Sequence, residues 1–131
     1  MKKEGTDMTL QELYSSIGED YEQALRVLRV EKLVDKHIRK LTKSGVMEAL
    51  LAAGEGMDPA QLFETAHAAK GNCGNLGLTK LFEASSEIAE EFRPGNPRKM
   101  TDEEVGGKLR EIAALYEKTA DAINRYEADN P

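Results

Sequence analysis

From Asp58 to Leu76 the chain reads as one amphipathic helix with an abrupt start, and its single apolar face has to be covered by the rest of the molecule. Asp58 is a good N-cap, Pro59 suits the first helical position, and Gln61 stands where a capping box places its glutamine. At about 100° per residue, Leu62, Ala66, Ala69, Cys73 and Leu76 fall within roughly 80° of one another and form the buried stripe.

Helical punctuation recurs along the chain, and no segment alternates as a strand would. Thr9 with Glu12 forms a capping box for a short helix through about Ser16, which Gly18 ends. Asp20 caps a second segment through Leu25, Val27 and Leu28. Val30, Leu33, Val34, His37, Ile38 and Leu41 continue it with helical spacing to Gly45. A short piece, Met47 to Ala53, ends at Gly54-Glu55-Gly56. After Gly77, the positions Leu78, Leu81, Phe82, Ser85, Ile88, Ala89 and Phe92 mark another helix, closed by Arg93-Pro94-Gly95-Asn96-Pro97. Thr101 with Glu104 opens the last one, whose stripe is Val105, Leu109, Ile112, Leu115 or Tyr116, Thr119 and Ile123. Four substantial helices with short connections predict an all-α fold, an antiparallel four-helix bundle with one or two additional short N-terminal helices. The 131 residues suffice for one domain, with a core over about 9–127.

Opposite the buried stripe of the Asp58 helix stands His67. Lys70, Gly71 and Gly74 lie within about 60° of its direction, at the i+3, i+4 and i+7 positions that neighbour it on a helix surface. A glycine inside a helix costs about 0.5–1 kcal/mol relative to alanine, so two on one face predict a surface cleared for close approach. Neutral imidazole keeps a nucleophilic nitrogen lone pair near physiological pH, and an ammonium pairs with phosphate oxygens as a point charge. An exposed nucleophilic nitrogen, a cation beside it and room for a docking partner suit transient phosphorylation of His67. Ala60, Phe63 and Ala68 are the expected apolar members of a docking patch, with Glu64 beside them. Phe63 falls at the edge of the buried stripe and can serve either the core rim or that patch.

The stretch resembles the phosphoacceptor motif of histidine-containing phosphotransfer domains. That motif has a histidine, a lysine three residues later, a glycine immediately after it and a second glycine six residues beyond the first; here these are His67, Lys70, Gly71 and Gly77. Ala66 before the histidine, the Asn75-Leu76-Gly77-Leu78 ending and the upstream Ile17-Gly18-Glu19-Asp20-Tyr21 stretch extend the similarity over most of the chain. Ala69 stands where the family often has leucine, and Asn72 with Gly74 makes the second half of the motif more polar and glycine-rich.

The resemblance implies a carrier in a two-component phosphorelay. His67 would accept a phosphoryl group from a receiver-domain aspartyl phosphate and pass it on reversibly, with Lys70 offsetting phosphoryl charge. The partner would be a response-regulator receiver domain or a hybrid histidine kinase, and the magnesium would belong to the receiver, this chain needing no cofactor. The chain has no ATP-binding module of its own, so it reads as a phosphoryl carrier and not an independent enzyme. The competing reading is a helical interaction module that binds a receiver or kinase without accepting phosphate.

Composition narrows the alternatives. Hydrophobic residues make up 40% and charged residues 32%, which suits a soluble globular protein. The net charge of −6 argues against nucleic acid or an anionic membrane as partner. Met1-Lys2-Lys3-Glu4-Gly5-Thr6-Asp7 leads into no apolar h-region, so a cytoplasmic monomer is expected. The one cysteine, Cys73, lies on the buried stripe and reads as a small core residue. His67 and Cys73 point to different faces, which disfavours a metal site. The glycines from Gly71 to Gly77 follow a helix and not a strand, which disfavours a nucleotide loop. His37 sits in the apolar stripe of its helix with Leu33, Val34 and Leu41, and is expected to be packed or partly buried.

Overall fold

The computed structural model describes residues 7–131; residues 1–6, on which the expected absence of a leader largely rests, lie outside the described residues. Seven helices follow one another among the described residues: α1 (Leu10–Ile17), α2 (Tyr21–Leu28), α3 (Glu31–Leu41), α4 (Val46–Gly56), α5 (Pro59–Asn75), α6 (Thr79–Glu91) and α7 (Asp102–Asp129). The fold is all-α. Helices α4 to α7 close a four-helix bundle in which α4 meets α5 and α7, and α6 meets α5 and α7. The short connections between α4 and α5 and between α5 and α6 make those neighbours antiparallel.

The start signals act as their chemistry requires. Thr9 and Thr101 complete reciprocal capping boxes with Glu12 and Glu104. At Asp58 the carboxylate accepts from the Gln61 N–H at 3.2 Å, the half of the box that Asp58 itself supplies. The N-terminus of α6 is capped from a distance: Glu19, between α1 and α2, accepts the Thr79 N–H at 3.1 Å.

Two expectations are corrected. The continuous helix from Asp20 to Gly45 is divided into α2 and α3 at Arg29 and Val30, where Arg29 adopts a φ of 77° and leaves the helical path. No glycine or proline marks that break. The short piece at Met47–Ala53 is a full helix, α4, and a wall of the bundle; it buries Met47, Leu50 and Ala53, and Tyr116 Oη on α7 donates to Glu48 Oε2 at 2.7 Å.

The N-terminal helices brace the bundle. Tyr14 is buried and its hydroxyl donates to the carbonyl of Leu76 at 2.6 Å, tying α1 to the end of α5. Tyr126 of α7 donates to Asp35 of α3 at 2.6 Å. No helix of the described residues is long and apolar enough to cross a membrane.

Candidate functional site

Helix α5 carries the candidate acceptor on a rigid rod. Leu62, Ala66, Ala69 and Cys73 are all fully buried, and Leu76 nearly so, which is the expected stripe. The Cys73 thiol is pushed up to about 12 by burial, with the Glu19 charge adding to it, so it behaves as an inert core group. His67 projects from the other side and is exposed. Ala60, Glu64, Ala68 and Gly71 are exposed with it, and a Cβ added at Gly71 would meet nothing within 4 Å. Small side chains at 60, 68 and 71 leave the backbone around the imidazole open to a second surface.

The flank of α5 that turns towards α6 differs from that open face. Phe63, Lys70 and Gly74 lie between the buried stripe and the His67 direction, and all three are half-buried. Phe63 packs against the core rim and stacks on His67, ring centroids 5.6 Å apart with 24° between planes. Its ring also carries the Arg93 guanidinium, whose Cζ is 5.5 Å from the centroid. Phe63 thus serves the core and the histidine at once.

Gly74 is corrected from a cleared docking position to a packing position. A Cβ there would come within 3.1 Å of Phe82 Cδ1 on α6, so the missing side chain admits the Phe82 ring. Gly77 is equally structural. It has a φ of +66°, and bonds from Leu78 N to Cys73 O (3.0 Å) and from Gly77 N to Gly74 O (3.3 Å) complete a Schellman ending to α5. Its Cβ would also run into the backbone carbonyl of Asp20, where α2 begins. Of the glycines near the histidine, Gly71 alone faces open space.

Two site residues escape a reading of the sequence. Glu90 and Arg93, at and just beyond the C-terminal end of α6, are joined by Arg93 Nε and Nη2 donating to Glu90 Oε1 at 3.0 and 2.8 Å. The hydrogen bonds from Arg93, with its charge, hold the Glu90 carboxyl below the usual carboxylate range, and Lys70 contributes in the same sense. The surface about His67 therefore carries Lys70 from its own helix and Arg93 from the segment just after α6. The antiparallel α5–α6 hairpin is the signal that finds them, since counting outward from the Gly77 turn places 90–93 beside 61–64.

His37 is half-buried on α3 beside the buried Val34, Ile38 and Leu41, whereas Leu33, expected in the same stripe, is exposed. Among the described residues no group of three or more His, Cys, Asp or Glu side chains is gathered to hold a metal ion. Compared with protein-family models, curated proteins and solved structures, the chain matches none.

Proposed function

We propose that the protein is a histidine phosphotransfer protein, accepting a phosphoryl group on His67 from a receiver-domain aspartyl phosphate and returning it to such a domain. The observation that carries this reading is an exposed imidazole fixed by Phe63 on a rigid helix, with Lys70 one turn on and open backbone at Gly71. Phosphoryl transfer needs positioning and charge stabilisation more than covalent machinery, and this surface offers both.

In the forward step a ring-nitrogen lone pair of His67 forms the N–P bond as the partner's P–O bond breaks, and the electron pair leaves with the partner's carboxylate. The proton on the other ring nitrogen stays in place. The reverse step returns the pair to the imidazole. Lys70 offsets charge on the phosphoryl oxygens, and the magnesium the reaction uses is the receiver's. The chain acts as a cytoplasmic carrier, docking its partner on Ala60, Glu64, Ala68 and Gly71.

Rapid-quench transfer from a phosphorylated receiver domain tests the reading. Wild type should gain an acid-labile, base-stable phosphate that His67→Gln lacks. A receiver that binds both proteins equally and labels neither would make the chain a helical interaction module instead.

A further inference from the structure

Of the two cations near His67, Arg93 is already engaged. Glu90 accepts both donors of the Arg93 fork, accepts Asn96 Nδ2 at 3.2 Å, and lies in the field of Lys70. Arg93 also rests on Phe63, the ring stacked on the imidazole. The Arg93 and Glu90 side chains keep 40% and 58% of their exposure, and ion pairs so exposed contribute little to folding. Their arrangement about the histidine is therefore a matter of local charge. A guanidinium fork fits phosphoryl oxygens as well as it fits a carboxylate, and a phosphoryl dianion is the more highly charged acceptor.

Building on the phosphoacceptor role proposed for His67, we infer that Glu90 is a resting counter-ion, which Arg93 leaves for the phosphoryl group when His67 is phosphorylated. The carboxylate occupies the Arg93 fork in the unphosphorylated protein. Arg93 reaches the new acceptor by rotating its own side chain, with its stem still anchored beyond α6. Only the N–P bond is made or broken; the cation exchange is non-covalent. Glu90, left without Arg93 and still accepting from Asn96, raises the negative charge around phosphohistidine and favours passage of the phosphoryl group onward. Glu90 is thus a positioning residue that balances gain against loss of phosphate, and Arg93 is a second cation of the site.

The probe is phosphoramidate, which needs the imidazole and no protein partner. Wild type should label on His67, and Glu90→Gln should label about threefold faster and lose its phosphate more slowly, the scale on which an exposed ion pair shifts an equilibrium. In an Arg93→Gln background the effect of Glu90→Gln should shrink, and the Arg93 Nε–H resonance of wild type should move on phosphorylation. Glu90→Gln labelling at the wild-type rate would overturn the counter-ion exchange while leaving the role of His67 intact. An undiminished effect in the Arg93→Gln background, or a stationary Arg93 resonance, would overturn it too, making Glu90 a nearby charge only. A wild-type protein that does not label would remove the phosphoacceptor reading and this inference with it.

Discussion

Phe63 precedes His67 by one turn of α5, and its ring lies against the imidazole with centroids 5.6 Å apart and planes inclined by 24°. Because Phe63 is itself packed on the core, the stack fixes an exposed side chain to the interior of the bundle. A nitrogen held in a narrow range of directions is what an in-line displacement uses. Phe63→Ala should cost about 1–2 kcal/mol, less than for a fully buried aromatic. It should also slow phosphoryl gain by His67. Phe63→Leu should recover most of the stability and little of the rate, and denaturant unfolding with quench kinetics on both variants separates the two effects.

The two glycines beside the histidine should respond in opposite ways. Gly71→Ala adds a methyl group to open space and removes a poor helix former, so it should stabilise the protein by about 0.5–1 kcal/mol. Gly74→Leu drives a side chain into Phe82 and should destabilise by about 1 kcal/mol or more despite the better helix propensity. Denaturant midpoints measure both. Two equal gains would show that α6 does not press on Gly74.

The end of α5 depends on a hydrogen bond from α1. Tyr14→Phe leaves the buried Leu76 carbonyl without its donor and should cost about 1–3 kcal/mol. Burial is the main cause of the raised pKa of the Tyr14 hydroxyl, so the group stays protonated and donating through neutral pH. A Tyr14→Phe midpoint equal to that of wild type would contradict a buried bond at this place.

Acid should loosen the connection between α6 and α7. Glu91 is buried, and burial alone would raise its pKa; donation by the Met100 N–H (2.9 Å), Arg98 Nε (2.7 Å) and the Lys99 N–H (3.0 Å) outweighs it and lowers the pKa overall. A folded-state pKa below the unfolded value of about 4.3 gives a contribution present above that pH and lost as pH falls through the folded value. Glu91→Gln should be less stable than wild type at pH 7, and the difference should close on acidification. Denaturant midpoints from neutral pH to about pH 3 follow it; a difference independent of pH would exclude the carboxylate as its source.

Much of this molecule is legible in residue order because helix periodicity and capping are local. The buried face of α5, the caps at Thr9, Asp58 and Thr101, and the stripe of α7 all follow from spacing, and Tyr116 in place of Leu115 is the buried member. The break at Arg29 is not legible, since a non-glycine residue takes a positive φ there without a local marker. Gly74 shows a second limit. Spacing places it near the direction of His67, but whether a foreign surface or Phe82 fills the gap depends on how α6 packs. Glu90 and Arg93 meet the site only through that same packing.

The most direct test of the account is the position of a phosphoryl group. Wild type, His67→Gln and Lys70→Ala are incubated with phosphoramidate and mapped by mass spectrometry under alkaline conditions, where phosphoramidates survive. One phosphoryl group on the peptide containing His67 is expected in wild type, none in His67→Gln, and labelling at least about tenfold slower in Lys70→Ala, a barrier change of about 1.4 kcal/mol. Labelling retained in His67→Gln, or found on His37, would contradict the assignment of His67 as the acceptor.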